Sequence, residues 1–160
     1  MTAPHNGDIF TLCDIIRETS FDIYKYLRSG HREQIYENAL AHRLRKRGIS
    51  LEQQQEIRVY DEDGTLIGHL KADLLIEDRL ICEIKGVRSL VDEHVAQLLG
   101  YLRASRIEHG LLINFGGPRL EIKKYICELV GHNNNSSLAS SIVPFAPFVA
   151  ISFCAFLWRI

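Results

Sequence analysis

The stretch from Ala72 to Lys85 restricts the fold more than any other part of the chain, because two otherwise apolar runs carry Asp73, Glu83 and Lys85 inside them. A charge within an apolar strand is costly unless it is paired or bound to a metal. Strand alternation sends Glu83 and Lys85 to one face and Cys82 and Ile84 to the other. If the connecting loop is the three residues Glu77, Asp78 and Arg79, Ile76 pairs with Leu80 and Asp73 falls opposite Glu83, with Cβ atoms ~5 Å apart. A two-residue loop instead sets Asp73 opposite Cys82 and turns it away from Glu83, so the register decides whether the two acids meet. Two carboxylates at that spacing can share one divalent ion, and hard oxygen donors favour Mg²⁺ or Mn²⁺. Such an ion polarises a phosphoryl oxygen and acidifies a water, while a neighbouring ammonium orients that water, and these are the needs of phosphodiester hydrolysis. The competing reading leaves Asp73 at a strand mouth and makes Glu83 with Lys85 a surface ion pair.

The rest of the chain up to Val130 supplies a frame for this hairpin. Ile9, Leu12, Cys13, Ile15, Ile16, Ile23, Tyr26 and Leu27 recur at helical spacing, and Ser29-Gly30 interrupts that helix. A second helical stripe, Ile35, Tyr36, Ala39, Leu40 and Leu44, runs to a stop at Gly48 behind Arg45, Lys46 and Arg47. Glu56 to Tyr60 has strand character, Asp61 to Gly64 supplies turn chemistry, and Thr65 to Ile76 and Leu80 to Lys85 are strands. Val91 to Ser105 forms a helix burying Val95, Leu98, Leu99 and Leu102, Leu111 to Phe115 forms a strand, and Leu120 to Leu129 is expected as a last helix. Helices, a strand meander and a strand-helix-strand crossover make an α/β sandwich around a mixed sheet.

Composition bounds the function. The 160 residues suit one globular domain, and 19 basic against 20 acidic residues leave a net charge of -1, which excludes gripping nucleic acid by bulk charge. Cys13, Cys82, Cys127 and Cys154 form no C-x-x-C pair, which argues against a structural zinc site and a disulfide scaffold. With no secretory signal in Met1 to Asp8, the expected location is cytoplasmic. No charged side chain occurs from Asn133 to Trp158, so a boundary is expected near Gly131, with a domain over 9–130 and a polar linker and apolar tail over 131–160. Leu138 to Trp158 approaches the ~20 apolar residues that cross a bilayer, although Pro144 and Pro147 interrupt any helix there. A membrane anchor, a tail packed on the domain and an extension foreign to the domain all stay open. His42, Arg43, Arg45, Lys46 and Arg47, together with Lys123-Lys124, could neutralise a few phosphates, and the first group equally complements the negative end of its helix.

Gly30-His-Arg-Glu33-Gln-Ile-Tyr36 matches the G-x-x-E-x-x-Y signature of the GxxExxY family, a branch that resembles the PD-(D/E)XK nuclease superfamily. Ala72-Asp73-Leu-Leu resembles the strand bearing that family's metal-binding aspartate, Glu83-Ile-Lys85 its E-x-K strand, Ala96-Gln97-Leu-Leu-Gly-Tyr101-Leu its glutamine helix, and Gly110 to Gly116 its closing strand. The resemblance spans Ile9 to Ile126 and implies a restriction-endonuclease-like three-layer sandwich, a central mixed β-sheet flanked by helices. It implies that Asp73 and Glu83 ligate Mg²⁺ or Mn²⁺, that Lys85 assists the water, that Glu33 adds an acid from its helix, and that Gln97 orients substrate or water. Read without the resemblance, Gln97 lies with His94 and Tyr101 on an exposed helix face, Glu33 stabilises a helix N-terminus, and Tyr36 belongs to the core. The family commonly has a second glycine where Arg28 stands and a histidine where Tyr24 stands.

The reading that follows is a Mg²⁺-dependent nuclease acting on DNA or RNA, with catalytic Lys85, Glu33 and Gln97 and metal-binding Asp73 and Glu83; a homodimer is compatible with it. The alternatives are a non-catalytic nucleic-acid or protein-binding module and a membrane-tethered protein in which the tail matters most.

Overall fold

The computed structural model describes residues 8–127 and the short segment 156–158. Two helices, α1 (Ile9–Leu27) and α2 (Glu33–Lys46), precede strands β1 (Leu51–Tyr60), β2 (Leu66–Ile76) and β3 (Leu80–Lys85). Helix α3 (Asp92–Ser105) then leads to β4 (His109–Asn114), β5 (Glu121–Ile126) and β6 (Phe156–Trp158). The strands form one sheet in the order β1-β2-β3-β4-β5-β6. Among the described strands only β3 and β4 pair in parallel, as a crossover through α3 requires.

The sheet is sandwiched between two cores. Leu12, Ile16 and Ile23 of α1 and Tyr36, Leu40 and Leu44 of α2 pack on Leu74, Ile76, Leu80, Cys82 and Ile84. On the other face Leu98, Leu99 and Leu102 of α3 pack on Ile81, Leu112, Ile57 and Ala72. This is the expected three-layer α/β arrangement. Alternation along β3 is kept, so Ile81 faces α3 while Cys82 and Ile84 face α1 and α2.

Helix α2 begins with Glu33 and ends with Arg43, Arg45 and Lys46, charges that suit both ends of its dipole. Its Tyr36 ring stacks on Phe115 with centroids 4.6 Å apart, and its hydroxyl donates to the Arg28 carbonyl at 2.7 Å. That bond holds Arg28 at φ 60° and ψ -175°, a conformation that only glycine adopts without strain. At this position, where the resemblance leads one to expect glycine, the chain therefore carries a strained arginine.

The segment 120–129 was expected as a helix, yet Glu121–Ile126 is a strand paired antiparallel with β4 through Ile113↔Ile122 and Leu111↔Lys124. The Gly116-Gly117-Pro118 turn sends the chain straight back along β4, whose free edge needs hydrogen-bond partners, and this outweighs the helical look of the segment. The strand also splits the Lys123-Lys124 pair. Lys123 bonds Glu121 at 3.0 Å, whereas Lys124 is 8% exposed with its Nζ 4.1 Å from the Phe10 ring centroid, so the two do not form a phosphate-gripping patch. The first strand is also longer than the expected Glu56 to Tyr60, beginning at Leu51. The expected linker and apolar tail lie outside the described residues apart from β6, which pairs with β5. Among the described residues no helix is long and apolar enough to cross a membrane.

The loops after β3 and β4 are locked together. Asn114, 1% exposed, accepts bonds from the amides of Val87 and Gly116, and Phe115 donates its amide to the Lys85 carbonyl at 2.8 Å. A Cβ on Gly116 would lie 2.2 Å from the Gly86 carbonyl carbon, so only glycine fits this backbone contact.

Candidate active site

The β2–β3 turn settles the register. Glu77 and Asp78 both have positive φ, Arg79 donates its amide to the Ile76 carbonyl, and pairing runs Ile76↔Leu80, Leu75↔Ile81 and Leu74↔Cys82. This is the three-residue loop. One step further Asp73 and Glu83 would pair, but the ladder stops and side chains take over. Asp73 Oδ2 accepts the Ile84 amide at 2.8 Å, so an acid caps the main chain of the partner strand. The strands part at the level of Asp73, and the gap between them carries the acids.

Glu83 is 2% exposed. Its Oε1 accepts from Lys85 Nζ at 2.9 Å, while Oε2 is buried with no hydrogen-bond partner among the described residues. Burial and the charge of Asp73 push the Glu83 carboxyl up to about 7, against the pull of Lys85 and of the Asp73 amide. Asp73 is raised as well, by burial, with the Ile84 amide, Lys85 and Gln54 opposing. Two half-starved carboxylates side by side suit a cation, which would restore the charge compensation that water no longer provides.

Lys85 completes the group. Burial alone lowers an ammonium, but its bond to Glu83 and the charges of Glu83, Glu33 and Asp73 more than offset this and hold it above its ordinary value. Its Nζ also donates to Gln97 Oε1 at 2.8 Å, and Gln97 Nε2 donates to the Tyr101 hydroxyl at 2.7 Å. Gln97 thus sits on the exposed side of α3 yet reaches the lysine. Tyr101, expected on that same exposed face, is 7% exposed and fixes which way the Gln97 amide points. Glu33 is placed differently from the other acids. Its Oε1 accepts the Gly86 amide at 2.9 Å, which holds it at the end of β3 where its charge reaches Lys85 and Asp73.

Two participants escape a reading of sequence. Gln54 of β1 donates from Nε2 to Asp73 Oδ1 at 3.2 Å and to Glu37 Oε2 at 2.7 Å. Glu37 is 5% exposed and also accepts from Gln53 Nε2 at 3.0 Å. In sequence both glutamines belong to an undistinguished polar run, and no signal there marks them.

The donor set can be tested against a metal. Among the described residues no group of three or more His, Cys, Asp or Glu side chains gathers to hold an ion unaided. What gathers is a pair of carboxylates with one unpartnered buried oxygen. That fits Mg²⁺, which keeps several waters and is held through one or two carboxylates plus substrate phosphates. It does not fit a dedicated zinc site, which needs four protein donors.

A mixed sheet between helices, with two acids and a lysine where its central hairpin opens, defines an α/β domain built around a charged strand mouth. A family model described as the PD-(D/E)XK nuclease superfamily matches residues 11–125, and the chain belongs to that superfamily, whose members are nucleases. Among solved structures the chain is similar to one described as "Crystal structure of SSO0001", at 25% identity and a TM-score of 0.50, over 61% of this chain and 50% of that one. The matched region therefore spans half of that protein. No curated protein matches the chain.

Proposed function

We propose that this protein is a GxxExxY-type nuclease that hydrolyses phosphodiester bonds of DNA or RNA with Mg²⁺ or Mn²⁺, in which Asp73 and Glu83 hold the ion. The observation that carries this reading is the buried, unpartnered Glu83 Oε2 beside Asp73, with Lys85 on the other Glu83 oxygen. A bound divalent ion supplies the positive charge that polarises a phosphoryl oxygen and acidifies a water.

The chain's own residues do the rest. Lys85 has three N–H donors, of which Glu83 and Gln97 take two. The third is left for a water or a phosphate oxygen. Because its neighbours hold it protonated, Lys85 acts as a donor that orients the attacking water and steadies growing negative charge, and not as a base. Gln97 fixes the direction of that donor through its own bond to Tyr101. Glu33 adds negative potential at the end of β3.

Calorimetry with Mn²⁺ and Mg²⁺ on the full chain, beside Asp73→Ala and Glu83→Ala, with cleavage assays on the same samples, tests the proposal. The wild type should bind and cut, and each variant should lose both. A wild type that binds no ion, even with nucleic acid present, sinks it and leaves a binding module as the better account.

A further inference from the structure

Strict alternation along β2 would put Ala72, Leu74 and Ile76 on one face of the sheet. They are divided instead, Ala72 packing with α3 while Leu74 and Ile76 pack with α1 and α2. Strand β1 does the same, since Leu51 faces the first core and Ile57 the second. Both strands change face at one level, between the pairs Gln53↔Leu74 and Gln55↔Ala72, and the two residues skipped there are Gln54 and Asp73.

Gln54 takes φ +54°, the left-handed region that glycine enters freely and glutamine does not. That backbone swings its amide across the sheet to a single donor position, where Nε2 faces two acids at once, Glu37 at 2.7 Å and Asp73 at 3.2 Å. One amide nitrogen carries two hydrogens, one for each carboxylate. Glu37 is buried on α2 and is braced by Gln53, so it is the fixed end of the chain of contacts. Asp73 lies at the other end, where regular pairing with β3 has stopped and nothing else grips Oδ1 by a hydrogen bond among the described contacts.

We propose that Gln54 is a positioning residue, anchored on Glu37, that aims the Asp73 carboxylate into the gap between β2 and β3. The inference rests on the proposed function for the role of Asp73, and it adds a residue outside the acid-lysine set. The strained backbone is the means of delivery. A side chain on ordinary extended backbone at this position would point away along its own face.

The test compares the full-length wild type with Gln54→Gly and Gln54→Asn. Both substitutions suit the left-handed backbone, and the asparagine amide falls one methylene short. Mn²⁺ affinity by calorimetry should drop about tenfold in each, in the range that outer-shell partners of metal ligands command. The melting temperature of the metal-free chain should stay level or rise, because strain is relieved, whereas a purely structural role would lower it. Affinity within twofold of the wild type in both variants overturns the inference, as does a drop that merely follows a lowered melting temperature. If the wild type binds Mn²⁺ but cuts nothing, the nuclease reading fails while the affinity comparison still decides the role of Gln54. If the wild type binds no Mn²⁺, both fall.

Discussion

The two ends of the β2–β3 hairpin are made from the same strands by different means. At the turn, main-chain pairing from Ile76↔Leu80 to Leu74↔Cys82 closes the ladder, and Ile76, Leu80 and Ile81 are fully buried. At the mouth, Asp73 receives the Ile84 amide and Glu83 receives Lys85, so carboxylates stand where main-chain partners would be. The turn end gathers apolar burial, which stabilises. The open end gathers buried charge, which opposes folding unless it is compensated. A hairpin of this kind separates what holds the protein together from the site proposed to do its chemistry.

The largest effects should show that separation directly. Ile76→Ala should cost ~2–5 kcal/mol of stability through the cavity it leaves, seen in denaturant unfolding, while the folded fraction cuts normally. Glu83→Gln should lower cleavage by about a thousandfold and leave the metal-free chain at least as stable as the wild type at pH 7. An early-melting Glu83→Gln would break the comparison, because the acid would then be a structural partner of Lys85.

The pH dependence sharpens it further. With the Glu83 carboxyl at about 7 against an ordinary 4.5, the folded chain keeps a proton that the unfolded chain has released between those values. Stability of the metal-free protein should therefore fall as pH rises from about 4.5 to 7, by up to about 3 kcal/mol, and level off above. Asp73 adds in the same direction. Chemical denaturation across this range should show the decline in the wild type and a flatter curve in Glu83→Gln. Saturating Mn²⁺ should flatten it too, if the acids hold the ion.

Much of this arrangement can be read from the residues, for reasons that differ by element. Charges inside apolar strands advertise Asp73, Glu83 and Lys85, but two loop lengths are open in the sequence, and the choice of the three-residue loop is made by the positive φ of Glu77 and Asp78 and the pairing from Ile76↔Leu80. Gln97 is ambiguous because helix periodicity says only which side it occupies, while its reach to Lys85 depends on how α3 lies across the sheet. β5 misleads because Leu120 to Leu129 carries apolar residues at spacings that either period accepts, and the decision belongs to the neighbouring edge of β4. Gln54 and Glu37 are invisible for another reason. A positive φ at a glutamine has no signature in composition, and the bonds of Glu37 to Gln53 and Gln54 depend on how β1 lies against α2.

The smallest prediction separates two kinds of strain. Arg28 and Gln54 both have positive φ, but only Gln54 contacts the acids. Arg28→Gly should raise stability by about 1 kcal/mol, a few degrees in melting temperature, and leave Mn²⁺ affinity unchanged. A change in affinity would mean that the loop before α2 also shapes the mouth.

The contact of Gly116 with the Gly86 carbonyl carries a consequence for how such a protein can be remodelled. The two loops on that side of the mouth meet backbone to backbone, so an insertion in either would lever Lys85 and the Glu33 contact out of place. The β1–β2 tip at Asp61 to Gly64 is exposed and bonded mainly to itself, through Asp61, Asp63 and Thr65. Extra chain can be spliced in there without disturbing the acids. A designer seeking a new substrate preference would graft onto that tip, and would leave the side where Gly116 meets Gly86 untouched.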